Sequence, residues 1–413
     1  MDQVRRRPCP ICRKHLKMRR KLFIIAAVLC LMPLNACAQW WLFPGSKGAG
    51  RDSLSRPDSM ETAAADTLEA VVDEFVLDIP EMIKVSLILP LKSVGGKSSA
   101  NFYEYYFGAL MAARELGQKG IRIDLNVFDS EDGNNPISDI ALQDSDLIIG
   151  PVSTSQVEAM AKRCPDKYII SPMEPKAAGL ADSLHIVQAP VPWENQVDEL
   201  IAWVGAEKRS RDAVVVLTDA QDLAGDNTAA YMLQKLAESG LEYTSVASSN
   251  YDVKNLTGTI RFLVASDNDS FICSAVNNIA NAGLHKGNVA LYGLSRMRTM
   301  DGISSESLYN ANARIASGYY IDYASADIKK FLMTYRAFFK NEPSSFAFSG
   351  YDTMKYFVNI CNTYGRQWYK KLPEYSERGL QTDFKFVGTD RSGAVNSAVR
   401  KLTFSPDLST SLE

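Results

Sequence analysis

Residues Ile83 to Thr154 constrain the fold more than any other stretch, because they read as a β-α-β unit ending in a hydroxyl-rich turn. Ile83 to Leu91 (IKVSLILPL) is a short, nearly all-apolar run, the pattern of a strand buried on both faces of a parallel sheet. Asn101 and Glu104 have capping-box spacing and predict a helix starting at Asn101. Phe102, Tyr106, Ala109, Ala113 and Leu116 then recur on one face, which points Tyr106 to the core and Tyr103 and Tyr105 to the flanks. Gly117 and Gly120 stop the helix, and Ile121 to Phe128 alternates into a second strand. Asp146 to Gly150 follows, then Pro151, Val152, Ser153, Thr154 and Ser155. A strand that enters a new helix through a small turn leaves N–H groups unpaired beside three hydroxyls, an arrangement suited to an anion. Ligands of open parallel sheets bind beyond the carboxyl ends of the strands.

The N-terminal part carries targeting information. Arg19, Arg20 and Lys21 precede an apolar core from Leu22 to Met32, the pattern of an export signal starting at Met18 and too short for a membrane span. Leu34-Asn35-Ala36-Cys37 has the form of a bacterial lipoprotein box, with Cys37 as the lipidation site. Ala36-Cys37-Ala38 also satisfies ordinary signal peptidase, which would free Gln39. Residues 1–17 read as upstream sequence, so Cys9-Pro10-Ile11-Cys12 is not taken as a metal or redox pair. Nine of the 45 Lys+Arg and one of the 48 Asp+Glu fall in residues 1–37, leaving 36 against 47 and a net charge of −11. Such an acidic chain without a basic stripe is a poor nucleic-acid binder. Cys164, Cys273 and Cys361 make no disulfide framework, and Cys273 and Cys361 sit in apolar runs as small buried residues. Residues 38–82 read as a flexible tether with one weak helix near Leu68 to Phe75.

Beyond the opening unit, strand–helix alternation continues through Tyr168 to Ser171 and a helix from Glu194 to Val204, then restarts at Ala213 to Thr218 (AVVVLT). Asp226 is expected to cap the next helix. The series Glu242 to Ala247, a helix near Leu256 to Val264, a strand Ser270 to Cys273, a helix Val276 to Ala282 and a strand Val289 to Tyr292 completes a second sheet. A strand Ile315 to Tyr320, helices Ile328 to Phe339 and Gly350 to Tyr364, and short strands near Phe384 and Val399 follow.

Several segments in order resemble the type 1 periplasmic binding proteins, of the branched-chain amino-acid-binding and receptor ligand-binding-region kind. They are Pro90-Leu91, Gly108 to Ala113, Asp129 before Asn135-Pro136, Ile148 to Ser153, Ile169 to Pro172, and Gly350-Tyr351-Asp352. The resemblance implies an α/β fold of two doubly wound parallel-sheet lobes joined by a multi-strand hinge. Lobe 1 is expected from residues 83–190 plus 316–364, and lobe 2 with the hinge strands from 191–315 plus 365–413. It places ligand-binding groups at Ser153, Thr154 and Ser155, which in such proteins receive a carboxylate, and at Ser171, Met173, Glu174, Asp219 and Ser295. Ser171 keeps the pattern, but this chain departs from it at the last four: Met173 and Glu174 replace small and hydroxyl residues, the loop from Asp219 to Gly225 stands where an aromatic-Gly pair is usual, and Leu294-Ser295-Arg296 stands where an ammonium-binding acid is usual. Glu174 would repel an anionic ligand group unless it faces away.

Catalytic constellations are scarce. His185 and His285 are the only histidines after the signal and read as structural or surface groups. GxSxG, GxxxxGK[ST] and HExxH motifs are absent. Asp129, Glu131 and Asp132 imitate a calcium loop, but Ile140 stands where such a loop needs Glu. The expectation is therefore a non-enzymatic protein without metal or cofactor, in the periplasm and lipid-anchored to a bacterial membrane. It would capture a small polar, amino-acid-like solute for ABC-type uptake or sensing, with an ABC transporter permease as partner. The alternative is a cell-envelope lipoprotein acting on protein partners, such as a peptidoglycan synthase regulator. If Cys37 is diacylated, a Cys37→Ala protein leaves the membrane fraction and loses fatty-acid labelling, because stable attachment needs two lipid signals. Unchanged fractionation with an N-terminus at Gln39 would remove the anchor.

Overall fold

The computed structural model describes residues 77–92, 99–133, 136–219, 227–253, 258–388 and 392–413. Cys37, the export signal, the tether through residue 76, the helix expected near Leu68 and the Asp226 cap lie outside them. The final tether residues do not hang free: Asp78 pairs with Arg366 at 2.7 Å, and the Asp78 carbonyl accepts from the Arg366 N–H.

Strands β1 (Ile83–Leu89), β2 (Ile123–Asp129), β3 (Leu147–Ile149), β4 (Ile169–Ser171) and β5 (Ile186–Gln188) form a parallel array in the order β5-β4-β3-β1-β2. A second parallel array follows: β6 (Ala213–Thr218), β7 (Thr244–Val246), β8 (Ile260–Ala265), β9 (Val289–Leu294) and β10 (Arg314–Ser317), ordered β10-β9-β8-β6-β7. The chain then returns to the first sheet with β11 (Ser376–Glu377), β12 (Phe384–Gly388) and β13 (Ala394–Asn396). It ends in the second sheet with β14 (Arg400–Phe404) and β15 (Thr410–Leu412). Both sheets are thus mixed, since β11-β12-β13 and β10-β14-β15 pair antiparallel. The chain passes between them three times, at residues 189–192, 318–325 and 397–399.

Residues 376–396 therefore belong with the first sheet, although the sequence reading put 365–413 in lobe 2. The reason is the edge left open beside β5: β13 pairs with Val187 and Gln188 and brings its hairpin along. The second correction lies in the second lobe. Residues 260–264, part of the helix expected near Leu256 to Val264, belong instead to strand β8, all six residues of which are buried. Ser270 to Cys273, expected as strand, open a helix that Asn268 caps by accepting from the Ser270 and Phe271 N–H groups. Short apolar runs carry too little periodicity to separate the two states.

The helices are α1 (Ala100–Gln118), α2 (Thr154–Arg163), α3 (Trp193–Glu207), α4 (Thr228–Glu238), α5 (Asp269–Lys286), α6 (Ala326–Phe339) and α7 (Ser345–Tyr364), besides shorter turns. Asn227 caps α4 through the Ala230 N–H. The capping box expected at Asn101 does not form. Ser99 caps α1, and the Glu104 carboxylate accepts instead from the Ser344 N–H at 2.8 Å, ahead of α7. Tyr105, not Tyr106, is the fully buried tyrosine, because α7 lies along that face. Ile328, Phe331 and Tyr335 of α6 and Phe348, Met354 and Phe357 of α7 share one core with β1, α1 and β12. Cys164 and Cys361 are buried, but Cys273 is only half-buried.

Contact between α1 and α7 depends on two glycines. A Cβ at Gly108 would collide with the Ala347 carbonyl, and one at Gly350 with the Tyr105 carbonyl. Gly350→Ala is expected to destabilise the protein by about 1–3 kcal/mol despite the better helix propensity of alanine. Urea denaturation reads this as a lower midpoint at unchanged slope. An unchanged midpoint would show that the helices separate at no cost.

Candidate functional site

The expected hydroxyl turn lies at the carboxyl end of β3, as the β-α-β pattern requires. Ser153 occupies the N-cap position of α2, but its hydroxyl makes no bond to a helix N–H and donates to Gln156 Oε1 at 3.0 Å. Ser153 lines a cavity of about 300 Å³ with Pro90, Lys92, Ser99, Phe102, Glu131, Val152 and Gln156, all in the first lobe. Lys92 and Glu131 face each other at 3.4 Å, so the positive charge there is already matched. Thr154 and Ser155 line neither this cavity nor the next.

A second cavity, of about 310 Å³, opens where the first lobe meets the crossings. Pro172 and Met173 enter from the loop after β4, Ala189, Pro190 and Val191 from the first crossing, and Gly318 and Tyr319 from the second. Gln196 on α3 contributes from the second-lobe side; Phe346, Ser349 and Thr353 on α7, with Gln381, Thr382 and Phe384, complete the wall. Among the described residues no Asp, Glu, Lys or Arg lines it. Its polar groups are therefore amides and hydroxyls set in an apolar surface. The Gln381 side-chain oxygen is buried without a hydrogen-bond partner. The Gln196 side-chain N–H groups reach only the Val191 and Pro192 carbonyls at 3.5 Å, the outer limit of a hydrogen bond.

The remaining expected site residues do not line this cavity. Ser171 is fully buried at the end of β4, opposite Gln188 of β5, with its hydroxyl unpartnered. Glu174 does turn aside: its carboxylate accepts from the Lys176 N–H and caps a short turn at Pro175–Ala177. Asp219 accepts from Asn268 at 3.3 Å. Ser295 donates to Gln196 Oε1 at 3.3 Å, one bond behind the wall. Arg296 is held by Asp267 at 3.3 Å and by Asp269. Arg298 donates to Ser317 Oγ and the Tyr319 carbonyl and lies against the Tyr319 and Tyr320 rings, with its Nε unpartnered. Burial holds its guanidinium below the ordinary arginine range.

The two sheets, three crossings and a cavity at the crossings define the architecture. No protein-family model matches the chain, and no curated protein matches it in sequence. Solved structures do match its shape. A protein from Rhodospirillum rubrum described as a branched-chain amino-acid ABC transporter superposes with a TM-score of 0.54 at 13% identity, covering 78% of this chain and 98% of that one. The C-domain of LpoA (YraM) from Haemophilus influenzae, a regulator of PBP1A, superposes with a TM-score of 0.51 at 13% identity, covering 80% and 99%. The chain has the fold of the type 1 periplasmic binding proteins.

Of the eight expected binding residues, then, Met173 lines the hinge cavity, Ser153 lines the other, and Ser295 supports Gln196. Gln196, Tyr319, Phe346 and Gln381 were missed, because no local motif marks them: they come from two helix starts, one crossing and the loop between β11 and β12. The segment Gly350-Tyr351-Asp352 was the one available signal, and it sits directly under this wall. The Asp352 carboxylate accepts from the Leu380, Gln381 and Thr382 N–H groups at 2.7, 2.7 and 3.0 Å. Burial pushes its carboxyl up to about 6, against the pull of those three donors and of Arg400. The folded protein therefore binds a proton there between about pH 4 and 6 that the unfolded chain does not. Its contribution to stability is full below about pH 4 and is lost as pH rises through 6. Denaturation of wild-type and Asp352→Asn protein from pH 4 to 7 should show the wild type losing ground in that window. A difference independent of pH would exclude Asp352 as the titrating group.

Proposed function

We propose that the chain is an exported, non-enzymatic binding protein that captures a small solute in the hinge cavity, for ABC-type uptake or sensing, while lipidated Cys37 holds it to a bacterial membrane in the periplasm. One observation carries this reading: the cavity of about 310 Å³ has walls from the first lobe, from two crossings and from Gln196 on α3. A change in lobe angle would alter every wall together, which is how a two-lobed protein couples ligand capture to shape. The volume falls at the small end of ligand pockets and is lined mostly by apolar groups with a few polar ones, as such sites are.

A second reading, an envelope lipoprotein that acts through protein partners, draws support from the scatter of Ser153, Ser171, Glu174 and Asp219, which converge on no common cavity. The LpoA C-domain, a regulator of PBP1A, carries the same fold.

A thermal-shift screen of small solutes separates the readings. A captured solute raises the melting temperature by mass action on the native state, by about 2.7 kcal/mol of stability at a hundredfold excess over Kd. Phe346→Trp, which fills the cavity, should abolish the shift while leaving the protein folded. A flat screen with a reproducible crosslinked envelope protein in cells would favour the partner reading instead.

A further inference from the structure

We infer that the hinge cavity selects an uncharged ligand: a small amide-bearing molecule with an apolar body, rather than a free amino acid. This rests on the solute-capture reading above and specifies what that site can hold. The cavity's approximate 310 Å³ equals the liquid volume of about ten waters, which sets the ligand's size. Among the described residues its lining contains no ionisable acid or base, so neither a carboxylate nor an ammonium would meet an opposite charge. Burying a charge without a partner is strongly unfavourable, whereas an amide needs only matching donors and acceptors.

Those matching groups are present and unspent. The Gln381 side-chain oxygen is buried with no donor behind the cavity wall that the residue lines, so a turn of its amide would bring an unspent acceptor to a ligand N–H or O–H. The Gln196 N–H groups, held by two contacts of 3.5 Å, can turn to a ligand carbonyl at little loss. Its oxygen meanwhile stays fixed by the Ser295 hydroxyl. Ser349, Thr353 and Thr382 add hydroxyls, and Met173, Val191 and Phe346 add apolar wall.

Charges behind the wall are already committed. Asp352 is held by three backbone N–H groups, and Arg400 is paired with Asp383 at 2.6 Å. Glu174, the acid that a family-like site would have brought to the ligand, caps its own turn. Arg298 is the exception, since it has no carboxylate partner among the described residues, but it lies behind the Tyr319 ring rather than in the lining.

One scaffold in four charge states tests this: leucine, leucinamide, N-acetyl-leucine and N-acetyl-leucinamide, each titrated by calorimetry and thermal shift against the full chain, with native mass spectrometry of the purified protein. The expected result is binding of the doubly blocked, uncharged N-acetyl-leucinamide in preference to the other three. Gln381→Leu should weaken it about three- to tenfold, as the loss of one hydrogen bond requires. Phe346→Trp should abolish it, and gives a second variant should Gln381→Leu fail to fold. Tighter binding of any charged member overturns the inference while leaving solute capture standing; if that member is N-acetyl-leucine and Arg298→Gln removes it, Arg298 is the cause. If none of the four binds, the mass of any co-purified molecule decides: an uncharged compound supports the inference, and a charged one overturns it. No binding and no co-purified molecule overturns both this inference and solute capture in the cavity.

Discussion

The buried guanidinium of Arg400 is the interaction on which the joining of the two lobes depends. Arg400 opens β14 in the second sheet and is 2% exposed. It donates to the Gly379 carbonyl at 2.7 Å, to the Tyr320 and Leu380 carbonyls and to Asp383. The same loop gives its N–H groups at Leu380, Gln381 and Thr382 to Asp352 on α7. Residues 379–383 are thus gripped from the second lobe through carbonyls and from the first through N–H groups. Asn396, the last residue of β13, adds bonds from its side-chain N–H groups to the Ala189 and Asp383 carbonyls at 2.9 and 2.8 Å. Irregular backbone can be buried only where its polar groups find partners, and Asp352, Asn396 and Arg400 supply them here.

The candidate ligand cavity inherits its shape from that knot. Gln381 and Thr382 belong to the gripped loop, Thr353 follows Asp352 in sequence, and Ala189 receives the Asn396 bond; all four line the cavity. Burial explains why the wall is neutral. The ionisable groups close to the crossings are consumed in holding the crossings together, and the cavity keeps the amides and hydroxyls left over. The second lobe has a comparable network of its own. Arg261 pairs with Glu207 at 3.0 Å and Asp212 at 2.9 Å, and the Tyr292 hydroxyl donates to Glu207 at 2.5 Å. Burial opposes ionisation of Glu207, but Tyr292, Arg314 and Arg261 outweigh it and hold its carboxyl below the usual range.

Much of the fold was legible locally. Ile83 to Leu91, Ala213 to Thr218 and Val289 to Tyr292 read as strands because apolar runs bounded by turn residues have few alternatives, and β1, β6 and β9 lie there. Ile260 to Ala265 did not, since a short run of five apolar residues interrupted by Arg261 fits a strand or a buried helix equally well. Tyr105 and Tyr106 are adjacent, and only the position of α7 decides which of them is core. The site was less legible than the fold. Ser153 and Ser171 were placed at the right strand ends, but whether a hydroxyl at a strand end faces a ligand depends on neighbours far away in sequence.

Sequence alone determined the alternation of strands and helices, which follows from periodicity, capping and residue type acting over a few positions. The doubly wound sheets and the departure of Met173, Glu174 and Ser295 from an amino-acid site were implied only by the resemblance to the type 1 periplasmic binding proteins. Only the tertiary structure decided that residues 376–396 complete the first sheet, that Glu104 serves α7 rather than α1, and that Gln196, Phe346 and Gln381 meet around one cavity. The physical reason is the range of the forces involved. Helix and strand preferences are set by neighbours along the chain. An open sheet edge beside β5, two glycines that let α1 and α7 touch, and a buried arginine seeking acceptors are satisfied by whichever distant segment fits.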